Sequence, residues 1–443
     1  MPVDTVLFNA KVYTSQGIVE AGIAIDNGRI VKITKEINLP QASTRLNMNG
    51  CLVLPGLIDS HVHLRDQQLA YREDFTTGTA AAAAGGVTTV IDMPNNRPTT
   101  MDSQSLRERM QRAEKRTLVN IAFNSALPNR IEEIPQIVNE GAVGFKLYLL
   151  KQIGGVNIDD ENALKCAFKT IAETKVPIAV HAEDKTILEE ARKKMQTAGR
   201  SDSEAFLEAH PPEAEVKAIQ NVTKLAQDSG ASVHISHVSS AAGLKTIQTT
   251  KRTLNLTCEV TPHHLLLTVQ YLKKHGNLAL MLPPLRTKAD TEALWKALRQ
   301  GSIDTIASDH APHSMEEKTV HSIWEVKPGI AGLETLLPLI LTEVNKNRLT
   351  IADLVRLTSE NPAEIFHIKD RGSLKEGCFA DIVVVDINQE HKIDASRFKS
   401  KAKFSPFDGW KVKGKPVKTF VNGQLVMDEG EIVANPGIGR IIR

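Results

Sequence analysis

No two cysteines of this sequence stand close enough together to suggest a bridge or a thiolate cage. Cys51, Cys166, Cys258 and Cys378 are scattered singly, with no Cys-x-x-Cys, so neither a disulfide framework nor a zinc ribbon is expected, and a reducing cytoplasm is. An excess of one charge is lacking too. Lys plus Arg number 54 against 52 for Asp plus Glu, which gives no global field to draw in nucleic acid or an anionic membrane and leaves a small molecule as the expected partner. No apolar run approaches the roughly 18 residues of a spanning helix. Met1 to Val12 also lacks the basic start and long apolar run of a secretory signal, so a soluble cytosolic protein is expected. No Gly-x-Gly-x-x-Gly follows the first strand, which argues against a dinucleotide fold. Internal repeats and low-complexity tracts are absent.

What is present divides the 443 residues into three stretches. Residues 1–51 carry short β-rich runs such as Ala21-Gly22-Ile23-Ala24-Ile25, followed by the hairpin signal Asp26-Asn27-Gly28. Residues 52–371 alternate apolar strand-like runs with helical segments, as βα units do. The expected strands are 88–93, 143–148, 177–181, 232–237 and 303–309, and the expected helices 75–84, 101–116, 160–174, 212–229 and 288–300. Residues 372–443 return to β character, with Asn422-Gly423 as a second hairpin signal. The expected fold class is α/β: a (β/α)8 TIM-like barrel with a small β-sandwich domain built from both chain ends. Neither end is long enough for a core of its own.

Residues able to do chemistry gather where such a barrel would put its strand tips. The run Leu52 to Ile58 leads into Asp59-Ser60-His61-Val62-His63-Leu64-Arg65, and side-chain alternation points His61 and His63 the same way, able to share a metal ion. His181 closes a later strand, and Asp309 opens Asp309-His310-Ala311-Pro312-His313. His234 and His237 are three apart, so on one strand they face opposite sides and one of them enters the site. Lys146 sits within Ala142-Val143-Gly144-Phe145-Lys146-Leu147-Tyr148. Two readings of it stay open: a lysine that snorkels or pairs with an acid, or one whose burial lowers its pKa and frees a neutral amine.

In this order, His61-x-His63, Lys146, His181, His237 and Asp309 resemble the cyclic amidohydrolases of the amidohydrolase superfamily, and within them the dihydroorotase group with a lysine on the third metal strand. Gly85-Gly86-Val87-Thr88-Thr89-Val90-Ile91-Asp92-Met93-Pro94-Asn95 and Gly377-Cys378-Phe379-Ala380-Asp381-Ile382-Val383-Val384 extend the likeness. The resemblance implies two zinc ions per subunit. His61, His63 and Asp309 would hold one, His181 and His237 the other, with a carboxylated Lys146 as the bridge and His234 in the core or behind the ligands. It further implies Asp309 as the catalytic proton shuttle. Arg65, Asn95, His313 and the backbone at Pro328 and Gly329, with His63, would meet a substrate exchanging between N-carbamoyl-L-aspartate and L-dihydroorotate in pyrimidine biosynthesis. A homo-oligomer and an association with aspartate carbamoyltransferase are implied by the same analogy.

Arg65 carries the substrate argument from chemistry alone, since its planar fork suits the carboxylate on such a ring. One departure stands out. Many bacterial relatives read Asn-Pro-Pro-Leu-Arg where this chain has Leu282-Pro283-Pro284-Leu285-Arg286, and leucine donates no hydrogen bond. The alternatives are therefore an allantoinase, a hydantoin or dihydropyrimidine hydrolase, and a non-catalytic relative that keeps only the scaffold. The loop Ser314 to His321 reads as solvated, in a position to cover the substrate.

Overall fold

The computed structural model describes residues 2–443. In chain order its strands are β1 (Val3–Thr14), β2 (Gly17–Asp26), β3 (Arg29–Thr34), β4 (Ala42–Asn47), β5 (Leu52–Pro55), β6 (Leu57–Val62), β7 (Val87–Asp92), β8 (Asn120–Ala126), β9 (Ala142–Tyr148), β10 (Ile178–His181), β11 (Val233–Ile235), β12 (Leu256–Val260), β13 (Thr305–Ile306), β14 (Ile382–Lys392), β15 (Lys411–Val421), β16 (Gln424–Asp428) and β17 (Glu431–Ile432). They form two sheets. Strands β6 to β13 run in sequence order, each pair parallel, and a parallel bridge from Val62 to His310 brings the last strand back to the first. This is the (β/α)8 barrel.

Every residue of β6 through β10 is buried, as it must be when the barrel core covers one face and the helical ring the other. The ring includes helices Phe75–Ala84, Ser103–Glu114, Glu161–Thr174, Pro212–Ser229 and Lys288–Arg299. Asp74, Asp102, Asp160 and Thr287 cap four of them by accepting backbone N–H bonds. These helices match expectation within two residues at each end. Strands 232–237 and 303–309 do not, because the observed strands stop at Ile235 and Ile306. His237 and Asp309 take left-handed backbone, with φ of 36° and 46°, which ends a ladder and turns the side chain.

The second sheet joins both chain ends in the order β17-β16-β15-β14-β5-β1-β2-β3, with β4 beside β1. Leu52–Pro55 belongs to it, pairing with β1 and β14, so the chain passes into the barrel at Gly56. The last residues return to the barrel, where Ile441 bridges Ile121 of β8. No helix among the described residues is long and apolar enough to cross a membrane.

A buried polar knot ties the two sheets together. Asp381 pairs with Arg371, their side chains 3% and 4% exposed. Asp381 also accepts from Asn120 Nδ2 of β8 at 3.0 Å and from the Asn422 amide at 2.7 Å. Asp381→Ala leaves the guanidinium buried without its counter-charge, and losing one member of such a pair costs about 3–5 kcal/mol. The expected result is a large fall in the urea midpoint, and an unchanged midpoint would contradict the role given to this knot.

Candidate active site and metal centre

His61 lies on β6 and His63 just past its end, on one side of the backbone, with ring centroids 5.3 Å apart. Asp309 Oδ1 stands 3.4 Å from His61 Nε2 and 3.2 Å from His63 Nε2. One ligand atom from each of the three lies within 4.8 Å of the others. Both rings are held from behind: His61 Nδ1 by the Glu259 carboxylate, and His63 Nδ1 by Asn95 Oδ1 at 2.6 Å. Such outer partners fix the tautomer and aim the free Nε2.

The other expected ligands lie beside this group. Lys146 Nζ is 3.4 Å from His61 Nε2 and donates to Ser236 Oγ at 2.6 Å. The His237 ring is 5.3 Å from that of His61 and 4.5 Å from that of His181. His181 turns its Nε2 to Glu183 at 2.7 Å, which leaves Nδ1 for the site, and His237 Nδ1 is buried without a partner. His234 points elsewhere, to Thr257 Oγ1 and to Glu259.

Electrostatics suit this donor set to a cation. Burial holds His61, His63 and His237 below the usual imidazole range, and neighbouring cations add to the effect. Neutral imidazoles are what a metal requires. Burial pushes the Lys146 amine down to about 8, against the opposing pull of Glu259 and Asp309, so a neutral fraction is within reach near neutral pH. Asp309 is raised by burial. Glu259 is equally buried, yet contact with His61 and His234 outweighs that penalty and keeps it well below the carboxylate range.

A cavity of about 550 Å³, counting its open mouth, sits over the cluster. Arg65, Asn95, Tyr148, Lys151, Leu282, Pro328 and Gly329 line it together with His61, His63, His181, His237 and Asp309. Arg65 is 6% exposed. Its backbone, at φ 55°, is pinned by Arg109, which donates to the Arg65 carbonyl at 2.9 Å while paired to Asp92. Among the described residues no carboxylate lies within ion-pair distance of the Arg65 guanidinium, and its Nε has no hydrogen-bond partner. Burial and the nearby Arg72 lower its pKa to about 10. A Cβ on Gly329 would lie 2.4 Å from the Ala311 carbonyl oxygen, so only glycine lets this backbone form the wall.

His313 stands behind that wall. Its Nε2 meets the Pro328 carbonyl at 3.0 Å and Arg65 Nη2 at 3.5 Å, while Nδ1 faces Glu317 at 3.1 Å. Sequence reasoning passed over Glu259, Glu183, Ser236, Tyr148 and Lys151. An acid in the middle of the apolar run Leu256-Thr257-Cys258-Glu259-Val260 was the available signal for Glu259, because a carboxylate there needs a buried partner.

Fold and site together define a barrel enzyme with a polyhistidine centre suited to divalent cations at its strand tips. The Amidohydrolase family model matches residues 52–426. The chain is similar to L-hydantoinase of Paenarthrobacter aurescens, 34% identical with 99% of this chain and 98% of that protein covered. It is also similar to dihydroorotase of Geobacter sp. (strain M21), 37% identical with 94% and 97% covered. Among solved structures, L-hydantoinase (dihydropyrimidinase) from Arthrobacter aurescens superposes with a TM-score of 0.94, at 34% identity and 99% coverage of both chains. The chain belongs to the amidohydrolase family, and is a hydrolase acting on cyclic amides.

Glu259→Gln keeps the shape but removes the charge that orients His61 and His234. Divalent-cation affinity, titrated calorimetrically after chelation, is expected to fall about 10–100-fold. Native affinity in the variant would show that the His61 ring is held by something else.

Proposed function

We propose that this enzyme is a zinc-dependent dihydroorotase, reversibly interconverting N-carbamoyl-L-aspartate and L-dihydroorotate. The observation that carries the reading is Arg65: a buried guanidinium on the cavity wall with no acid of its own. A buried, unpaired cation is costly, and a substrate carboxylate would relieve it through the two-pronged pairing that suits arginine. Asn95, whose Oδ1 is taken by His63, has its amide N–H groups left for the same carboxylate. This side of the cavity is also cation-rich, since Arg65, Lys327, Arg72 and Arg97 all act on Lys151, and Arg72 acts on Arg65. In a chain whose overall charge is only +2, this local excess favours an anionic ring over a neutral one.

His61, His63 and Asp309 would hold one zinc ion and His181 and His237 a second, with Lys146 carboxylated between them. Bound there, the ions would supply Lewis acidity and lower the pKa of water. Carboxylation joins Nζ to the carbon of carbon dioxide and releases a proton, and so needs an uncharged amine. The lowered pKa of Lys146 supports that step. Asp309 would accept the proton of the attacking water and deliver it to the ring nitrogen as the C–N bond breaks, and in cyclisation it would take the amide proton. Glu259 and Glu183 would keep His61 and His181 in their ligating tautomers.

A second reading, a hydantoinase, is favoured by one feature of the cavity. Leu150 and Leu282 give its wall apolar patches able to take the side chain of a substituted hydantoin. Assays of L-dihydroorotate, N-carbamoyl-L-aspartate, hydantoin and a 5-alkyl hydantoin separate the two. Preference for the alkyl hydantoin would overturn the dihydroorotase reading.

Two substitutions test the roles. Arg65→Met is expected to cut kcat/KM for L-dihydroorotate by at least about 100-fold, the scale of a lost buried charge pair, and to alter turnover of dihydrouracil, which lacks the acid, far less. Equal losses would remove the carboxylate argument. Asp309→Asn is expected to lower kcat by about 10²–10⁴, the usual contribution of a positioned proton carrier. Near-native turnover in that variant, with zinc content confirmed by atomic absorption, would rule out the shuttle.

A further inference from the structure

We propose that Arg72 and Glu317 form a latch across two loops that keeps the Arg65 guanidinium free for the substrate. Its effect on specificity rests on the reading of Arg65 given above. Arg65 and Arg72 sit on one loop, after β6, and Glu317 on the short helix Met315–Lys318 in the loop after Asp309, where the sequence suggested a solvated stretch but Ser314 caps the helix and Lys318 is buried. Arg72 acts on Arg65 as a like charge, and of the acids around Arg65, Asp92 is taken by Arg109 and Asp309 by the histidine pair.

The Glu317 carboxylate is committed to Arg72. Glu317 Oε1 accepts from Arg72 Nε at 3.0 Å and from its Nη2, and from the Tyr71 hydroxyl at 3.0 Å. Glu317 Oε2 faces His313 Nδ1 at 3.1 Å and the Ser314 amide at 3.3 Å. The far nitrogen of that imidazole is 3.5 Å from Arg65 Nη2, so only the width of one ring separates Glu317 from Arg65. The Glu317 side chain is 16% exposed and that of Arg72 13%. In such a poorly solvated setting an unclaimed carboxylate turns to the nearest free cation. The cation beside it on its own helix, Lys318, is committed to the Leu280 carbonyl at 3.0 Å, which without Arg72 leaves Arg65. Glu317 would then occupy the guanidinium face that the substrate acid needs, as a competing intramolecular anion.

This makes Arg72 and Glu317 positioning residues with a signature that simple loss of structure does not produce. Removing Arg72 should harm binding of the acid-bearing ring, and removing Glu317 as well should restore it. The probes are L-dihydroorotate and dihydrouracil, with KM and kcat measured separately on zinc-loaded wild type, Arg72→Met, and Arg72→Met combined with Glu317→Gln, all checked for unchanged melting temperature. Arg72→Met is expected to raise KM for L-dihydroorotate about 10-fold and for dihydrouracil less than about 2-fold, and the double variant to recover most of the loss. An equal rise for both rings, or no recovery, overturns the latch. A crystal structure of Arg72→Met reads the latch without any ring: Glu317 on Arg65 supports it, and Glu317 remaining with His313 alone overturns it. Wild type that shows equal KM for the two rings would instead refute the proposed substrate, so the two failures are told apart.

Discussion

The site depends on one buried carboxylate. Glu259, on β12, receives His61 Nδ1, His234 Nε2 at 3.2 Å and the backbone N–H of His237 at 3.1 Å. It thereby joins the tips of β6, β11 and β12, which lie far apart in sequence. A carboxylate stays charged in such a place only if its hydrogen bonds outweigh the desolvation, and the three contacts do so. Two consequences follow. His61 keeps the tautomer that turns Nε2 inward, and His237 is held in a left-handed backbone conformation that no ladder would impose. Strain of that kind persists where surrounding contacts over-determine it.

A second arrangement governs the mouth of the cavity, and its logic is the reverse. Around Glu259 the carboxylate is fully met by hydrogen-bond donors; around Arg65 the partner is withheld. Asp92 is spent on Arg109, which grips the Arg65 backbone and not its side chain, and Glu317 is spent on Arg72. The protein thus places acids close to Arg65 and ties each to another base. A cation preorganised in this way binds an incoming acid without first giving up an internal partner. This distinguishes Arg65, buried without an acid, from the paired arginine Arg371, which joins the two sheets.

Much of this was legible in the sequence, for reasons particular to each element. Helices were visible because runs of helix-forming residues between the apolar strands, such as Thr79 to Ala84, are local properties of the chain. His61 and His63 were legible because strand alternation fixes their common face. β8 was missed because Asn120-Ile121-Ala122-Phe123-Asn124-Ser125-Ala126 carries two asparagines and few branched residues, and its polar groups find partners only in the folded molecule, Asn120 on Thr88 and Asp381. The lengths of the strands ending near His237 and Asp309 were overread, since a left-handed turn at a non-glycine residue leaves no mark on composition.

The sequence by itself determined the order of the elements, the barrel class and the residues able to ligate or to carry a proton, because periodicity and side-chain chemistry are written along the chain. Only the tertiary structure decided which groups face one another. His313 went behind the wall, His234 turned to Thr257, Glu259 became the hub, and Arg65 was left without an acid. The physical reason is that pairing between charges depends on distance and solvation, and both are set by strands brought together from opposite ends of the chain.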